Sequence, residues 1–436
     1  MFNIEYALVL SGGGAKGSYQ IGVWRALREL NIKINAIIGC SVGSLNGALM
    51  ILDEYEKALE LWENISTDKV VDIPSDILKD GIIDVSKLSP KKLLELQKDI
   101  IKKGGFSIKP LEDLITKIID EKKVRESKID FGLVTYEVNN LKPVEIFIED
   151  IPSGKLKDYL LASATLPGFK ITTIDNKKYL DGGLYDNIPI NLAKKRGYTN
   201  IIAVDISGLG VVRRPSIEGT NTIYIKNSSD TGTILDFSPS VSKRNITMGY
   251  LDTLKIFGKI EGIEYFISPK NKDKVTKEIL KIIQNNDELK GTLKEYIGRD
   301  IIDMERDIRK ILPEELKLKK DIIIPLIECA ARSFKIEKIK LYEIEELIEL
   351  IWQRYNTLVN SNKVSTNIEE ILNKIKILTR PQKDITLMEY EEILNFVISK
   401  FTNIKNNKFY KSTVFKIFPD LLAAKFFCEV LNKYFK

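Results

Sequence analysis

Gly39-Cys40-Ser41-Val42-Gly43 has the small-x-Ser-x-small spacing of a serine nucleophile held where a strand turns sharply into a helix. Small neighbours relieve crowding in such a turn. The helix N-terminus that follows favours negative charge developing on a bound substrate. The plainer reading is that Ser41 only caps its helix. The chain contains no histidine, so a Ser-His-Asp triad is excluded. A proton leaving Ser41 must pass to a carboxylate, a lysine or a water. Asp181 ends a short strand and precedes Gly182-Gly183, a turn that can hold a carboxylate rigidly and expose it. Asp186 is a local rival, with Asn187 and Pro189 fixing the turn. Lys16 is another candidate base, although its resting ammonium serves better beside a substrate phosphate.

Three consecutive glycines in Gly12-Gly13-Gly14-Ala15-Lys16-Gly17 lose much backbone entropy on folding. They make sense where main-chain N–H groups converge on an anion. The run follows the first strand, so parallel packing places it at the same sheet edge as Ser41, as an oxyanion hole. A nucleotide-binding loop is the competing reading. The G-x-x-x-x-G-K-[ST] pattern is not met, because Lys16 precedes Gly17.

The elements that must position these residues follow from apolar periodicity. Residues 6–11 read as a buried strand and 18–30 as a helix, with Ile21, Trp24, Leu27 and Leu30 in step. Asn35 to Gly39 is a second strand, and a helix opens at Ser41. Strands are expected at 131–136, 143–148, 177–180 and 201–206, with further candidates at 222–226 and 264–268. Helices are expected at 111–119, behind Pro110, and at 156–163 and 190–196. A charged, mostly helical insertion is expected at 86–103, and the serine- and threonine-rich stretch after 226 reads as loop. Strand–turn–helix alternation predicts an α/β domain with a mostly parallel sheet.

The 436 residues exceed one ordinary core. Beyond about residue 270 glycine nearly vanishes, and lysine, glutamate, isoleucine and leucine dominate. Helical patterns at 274–288, 293–310, 321–357, 366–377, 386–400 and 419–435 predict a second, all-helical domain over 271–436, after a catalytic domain over 1–270. A formal charge of +6 allows attraction to anionic lipid but does not argue for nucleic acid. Cys40, Cys329 and Cys428 are far apart and suggest neither a disulfide framework nor a metal cluster. The N-terminus lacks a leader pattern, and no apolar run reaches membrane-spanning length. The expected location is cytoplasmic, with peripheral membrane association open to it.

These blocks together resemble the patatin-like phospholipase family. The glycine run 12–17, the elbow 39–43 and the Asp181-Gly182-Gly183 turn match its three signatures in order. Ala162 to Phe169, Asn187-Ile188-Pro189 and Ile201 to Ile206 match further blocks. The likeness covers about residues 5–210 and is silent on 271–436. It implies a three-layer α/β/α fold and a Ser-Asp dyad that works through an acyl-enzyme, with no cofactor and no metal. Carried over, Ser41 is the nucleophile and Asp181 the base. The oxyanion hole is Gly13 and Gly14 with the neighbouring Gly12 and Ala15 amides. Gly17, Gly39, Gly43, Gly182 and Gly183 shape the turns. Lys16 stands where arginine is common and becomes a candidate headgroup contact without a bidentate fork.

The expected activity is hydrolysis of a fatty acyl ester of a phospholipid or lysophospholipid. A non-catalytic lipid-binding protein on the same scaffold is the alternative. Acyl transfer, thioester hydrolysis or proteolysis through the same dyad are others. Val42, Leu45, Leu166 and Phe169 suit an acyl chain, and equally an ordinary core. The final helix, 419–436, has a broad apolar sector beside lysines. It either packs into its own domain or lies on an anionic membrane.

Overall fold

The computed structural model describes residues 4–72, 78–79, 82–83, 102, 104–214, 218–318, 321–360, 387–400 and 418–436. The expected helices at 366–377 and, apart from residue 102, at 86–103 lie outside the described residues. The chain divides into two compact units, Met1–Phe257 and Gly258–Lys436.

The first unit is built on an eight-stranded sheet. Its strands are β1 (Glu5–Leu10), β2 (Lys33–Cys40), β3 (Asp130–Glu137), β4 (Lys142–Phe147), β5 (Thr172–Ile174), β6 (Lys177–Asp181), β7 (Asn200–Asp205) and β8 (Asn221–Lys226). The order is β8-β7-β1-β2-β3-β6-β5, with β4 also on β3. Strands β8, β7, β1, β2 and β3 are mutually parallel; β4, β5 and β6 join by antiparallel pairing. The central strands are apolar on both faces, as parallel strands covered by helices must be. Ala7, Val9, Ala36, Ile38 and Ala203 share a core with Ile190 and Leu192 of a short helix on one side. Helix α2 (Val42–Ile51) covers the other face: a β-carbon at its Gly47 would meet Ile37, Phe131 and Leu10. Helix α1 (Ser18–Glu29) lies on this side with α2. These are the three layers of an α/β/α domain.

The stretch after β8, expected as loop, contains an 18-residue helix, α3 (Pro239–Ile256). Its serines and threonines masked it. Thr247 and the buried Thr253 turn their hydroxyls back onto the carbonyls of Lys243 and Gly249, so their polar groups are satisfied within the helix. Two glycines let α3 press against α1. A β-carbon at Gly22 would lie 1.9 Å from the Ile246 carbonyl oxygen, and one at Gly249 would lie 2.1 Å from that of Tyr19.

Among its described residues, the second unit's regular structure is helical apart from Phe266–Ile267 and Leu341–Tyr342, which pair in parallel. The expected helix 321–357 is therefore two helices, Ile323–Ser333 and Ile344–Asn360. That at 293–310 is broken by Gly298 in the left-handed conformation. The last helix, Pro419–Tyr434, is core: Ala423, Ala424, Phe426, Phe427, Val430 and Leu431 are fully buried. Lys425 is buried too, its ammonium donating to the Ile398 carbonyl. Of the two readings of its apolar sector, the structure supports packing into its own domain: the sector is the inner face of the helical unit. Among the described residues, no helix is long and apolar enough to cross a membrane.

Gly22→Ala must push two backbones apart and is expected to destabilise the protein by about 3 kcal/mol, the upper end for overpacking. Gly291 sits in a helix with open space around it, and Gly291→Ala is expected to stabilise by roughly 0.5–1 kcal/mol. Urea titration of both variants checks the contrast. A small effect of Gly22→Ala would mean that α1 and α3 are not in backbone contact.

Candidate active site

Strand β3 brings the two candidate residues together. Its outer edge pairs with β4 along Gly132–Glu137. Both β2 and β6 must then share the opposite edge. Along it, Val134 pairs with Cys40 and the next residue, Thr135, pairs with Asp181. The end of a parallel strand and the end of an antiparallel strand thus meet head to head, with Ser41 one residue beyond Cys40.

Ser41 has φ 53° and ψ −128°, a conformation that non-glycine residues rarely adopt. Such strain costs about 1–3 kcal/mol and persists only where the surroundings hold it. Here the Ser41 amide donates to Ser163 Oγ at 2.9 Å, and Ser163 Oγ donates to the Val134 carbonyl at 2.7 Å. Ser44 Oγ donates to the Ser41 carbonyl at 2.6 Å. The elbow glycines are steric necessities. A β-carbon at Gly39 would lie 2.4 Å from the Gly43 backbone, and one at Gly43 would lie 2.3 Å from the Leu10 carbonyl oxygen. Ser163 was not singled out as a site residue in sequence; its alanine-serine neighbourhood was the available signal.

Asp181 is 3% exposed. Its Oδ1 accepts the Gly183 amide at 2.7 Å, while Oδ2 is buried with no partner in hydrogen-bond geometry. Burial pushes the carboxyl up to about 6, and the Ser41 hydroxyl, the Gly183 amide and the Cys40 thiol pull it back down. The Ser41 hydroxyl is therefore close enough to the carboxyl to favour its ionised form. Cys40 is no rival nucleophile: burial and the Asp181 charge raise its thiol well above the ordinary value. Asp186, also raised to about 6 by burial, faces the Ile188 amide and Arg213 rather than Ser41.

The glycine loop divides into occupied and free amides. Gly12 N donates to the Asn187 carbonyl at 3.1 Å, and Ala15 N to the Ile234 carbonyl at 2.9 Å. Among the described residues, no acceptor takes the Gly13 or Gly14 amide. Of the four expected oxyanion donors, two are therefore committed to holding the loop. Gly13 and Gly14 remain, lining a small cleft with Ser41 and Asp181. Asn187 braces the loop from its side chain as well, donating to the Gly12 carbonyl at 3.3 Å. Lys16 donates to the Ser207 carbonyl at 2.9 Å and does not line the cleft.

From Ser41 an apolar cavity runs along α2, lined on one helix face by Val42, Leu45 and Leu49. Leu166 and Phe169 line it, as do Trp62, Ile115 and Phe237, which sequence reasoning missed. They come from segments far apart in sequence, and nothing local links them. Asn46 also borders the cavity, but its amide is committed to Gly17, Gln20 and Trp62. Among the described residues of the cavity wall, the Ser41 hydroxyl is thus the one side-chain polar group left to meet a ligand.

Residues 8–194 match the family described as patatin-like phospholipase. Patatin-like phospholipase domain-containing protein 7 of Rattus norvegicus is 26% identical over 207 residues, 46% of this chain and 13% of that protein. Lysophospholipase NTE1 of Cryptococcus neoformans is 29% identical over 208 residues, 47% of this chain and 11% of that protein. The match thus spans only a small part of these relatives. The crystal structure of VipD from Legionella pneumophila is similar with TM-score 0.39 and 16% identity, over 89% of this chain and 90% of that one. By the family model, residues 8–194 of this chain carry a patatin-like phospholipase domain.

Proposed function

We propose that the protein is a serine lipid acyl hydrolase that cleaves a fatty acyl ester of a phospholipid or lysophospholipid. The observation that carries this reading is the cavity: apolar along its length, with a strained serine hydroxyl at one end and two free amides beside it. An acyl chain matches such walls, and its ester carbonyl would then lie at Ser41.

In this mechanism Ser41 Oγ attacks the ester carbonyl carbon as its proton passes to Asp181. The Gly13 and Gly14 amides hold the oxyanion that forms. Collapse breaks the bond to the leaving alkoxide, which takes the proton from Asp181. The acyl group remains on Ser41 until a water, giving its proton to the same carboxylate, attacks the acyl carbonyl; the bond to Ser41 Oγ breaks, Oγ takes that proton back from Asp181, and the fatty acid leaves. A carboxylate can do this work because burial brings its proton affinity towards neutrality. Hydrolysis of short-chain and phospholipid esters by purified protein, with fatty acid and lysolipid identified, tests the reading. Products of transfer to another alcohol would favour an acyltransferase. Binding without any turnover would favour the non-catalytic alternative.

Ser41→Ala and Asp181→Asn are each expected to lower kcat/KM by at least about a thousandfold, and the double variant to lose little more, because the two act as a unit. Near-normal turnover by Asp181→Asn, with loss in Asp186→Asn, would move the base to Asp186.

Acylation should rise with pH through about 6 as Asp181 ionises, then level off with no further limb from an imidazole. A fluorophosphonate labelling profile checks this, and a midpoint near the ordinary carboxylate value would contradict it.

The same group links function to stability. Its folded pKa, about 6, lies above its ordinary 3.8. The stability of its buried neutral form is therefore complete below 3.8 and lost as pH rises through about 6. Asp181→Asn is thus expected to unfold later than the parent above that range, by up to about 3 kcal/mol, with the gain vanishing near pH 4. Thermal melts across the range check the sign.

A further inference from the structure

The first unit exposes nine large apolar side chains among its described residues, and five of them lie on three segments around the mouth of the Ser41 cleft. Leu209, 73% exposed, lines the cleft with Ser41 and Asp181. Val211 and Val212, 51% and 55% exposed, follow it. The loop that carries them is tied to the Asp181 turn, with Val211 N donating to the Gly183 carbonyl and Asn187 N to the Val211 carbonyl, both at 2.8 Å. Leu184 extends that turn. Ile171 stands on the segment that leaves Leu166, another wall of the cleft, and borders a shallow depression with Phe169. Val211 is exposed although its backbone is hydrogen-bonded through both its amide and its carbonyl, so its exposure is not that of a loose end. Exposed apolar groups gathered at one place mark a contact surface.

The exposed charge on these three segments has one sign, although the buried Asp181 and Asp186 adjoin them. Residues 166–171, 182–185 and 207–214 carry Lys170, Arg213 and Arg214 and no aspartate or glutamate. Arg213 lies over the Tyr185 ring at 4.5 Å, which fixes it beside the apolar tips. Arg214 is exposed. Apolar tips that insert at headgroup depth, ringed by cations, match the two attractions of an anionic lipid surface.

Resting on the hydrolase reading above, we infer that this rim is the surface by which the protein seats its cleft on an anionic bilayer. Leu209, Val211 and Val212 enter the interface and the arginines face lipid phosphates. An acyl chain then passes from the bilayer to Ser41 without crossing water. The docking element belongs to the catalytic unit and is a loop, not the final helix.

Co-sedimentation of the full chain with vesicles of phosphatidylcholine, alone or mixed with phosphatidylglycerol, tests it. The parent should bind the mixed vesicles the more tightly. The double variant Val211→Asp/Val212→Asp should bind at least about tenfold less, since two buried apolar side chains are lost and charge is opposed. Arg214→Gln should reduce only the preference for the anionic vesicles. Turnover of a soluble short-chain ester should persist in all three, which shows that each is folded. Leu141→Asp, on an exposed turn of the same unit, controls for added charge. Unchanged sedimentation of the double variant, or a loss shared with Leu141→Asp, would overturn the inference. Absence of parent binding, with soluble esters still cleaved, would also overturn it while leaving the hydrolase reading intact. Binding that depends on the rim, with no ester cleaved, would retain the surface and remove the hydrolase.

Discussion

Everything at the candidate site depends on one shared strand edge. β3 gives the first part of that edge to the parallel β2 and the next residue to the antiparallel β6. Where the two partners meet, backbone pairing alone brings Cys40 and Asp181 side by side, and with them the elbow serine. No loop needs to fold back to bring the carboxylate to the serine. Ser163 completes the arrangement, because it is bound at once to the Ser41 amide and to Val134 on that edge. A one-residue slip of β6 would turn Asp181 to the other face of the sheet.

Without histidine, the proposed hydrolase needs another source of a base near neutral pH. In that reading, burial of Asp181 supplies it. A solvated aspartate is too weak a base to take a serine proton, whereas one held among apolar neighbours gains proton affinity. The carboxylate that results is under-partnered, with Oδ2 left without a hydrogen bond. The serine is strained as well, with φ 53°. Both features oppose folding, and the packed sheet and its flanking helices must offset them.

The same economy of polar groups shapes the cavity. Asn46 and Trp62 are polar residues at its wall, but each polar atom they bring is bound to another. Asn187 and Ala15 hold the glycine loop so that Gly13 and Gly14 are left free. Among the described residues, uncommitted polarity in the wall is therefore concentrated at Ser41, and most of the rest is hydrocarbon. The rim repeats this pattern outside, with apolar tips on a backbone anchored to the Asp181 turn.

Sequence alone determined the parts whose chemistry is local. Two glycines around Ser41, a glycine run after a strand and an aspartate before two glycines each state a backbone requirement that few residues can meet. The lack of histidine settled by composition that any base must be something else. Most strands and helices of the first unit were legible because alternation and helical rhythm are short-range signals. α3 was not, because its polar side chains bond their own helix and its contact with α1 is made through glycines. The burial of the final helix was undecidable too, since an apolar face looks the same whether a core or a membrane covers it. Which of two aspartates faces Ser41, which glycine amides stay free and which distant side chains close the cavity were decided only by tertiary structure. Each is a relation between segments far apart in the chain, set by strand register and packing rather than by any local preference.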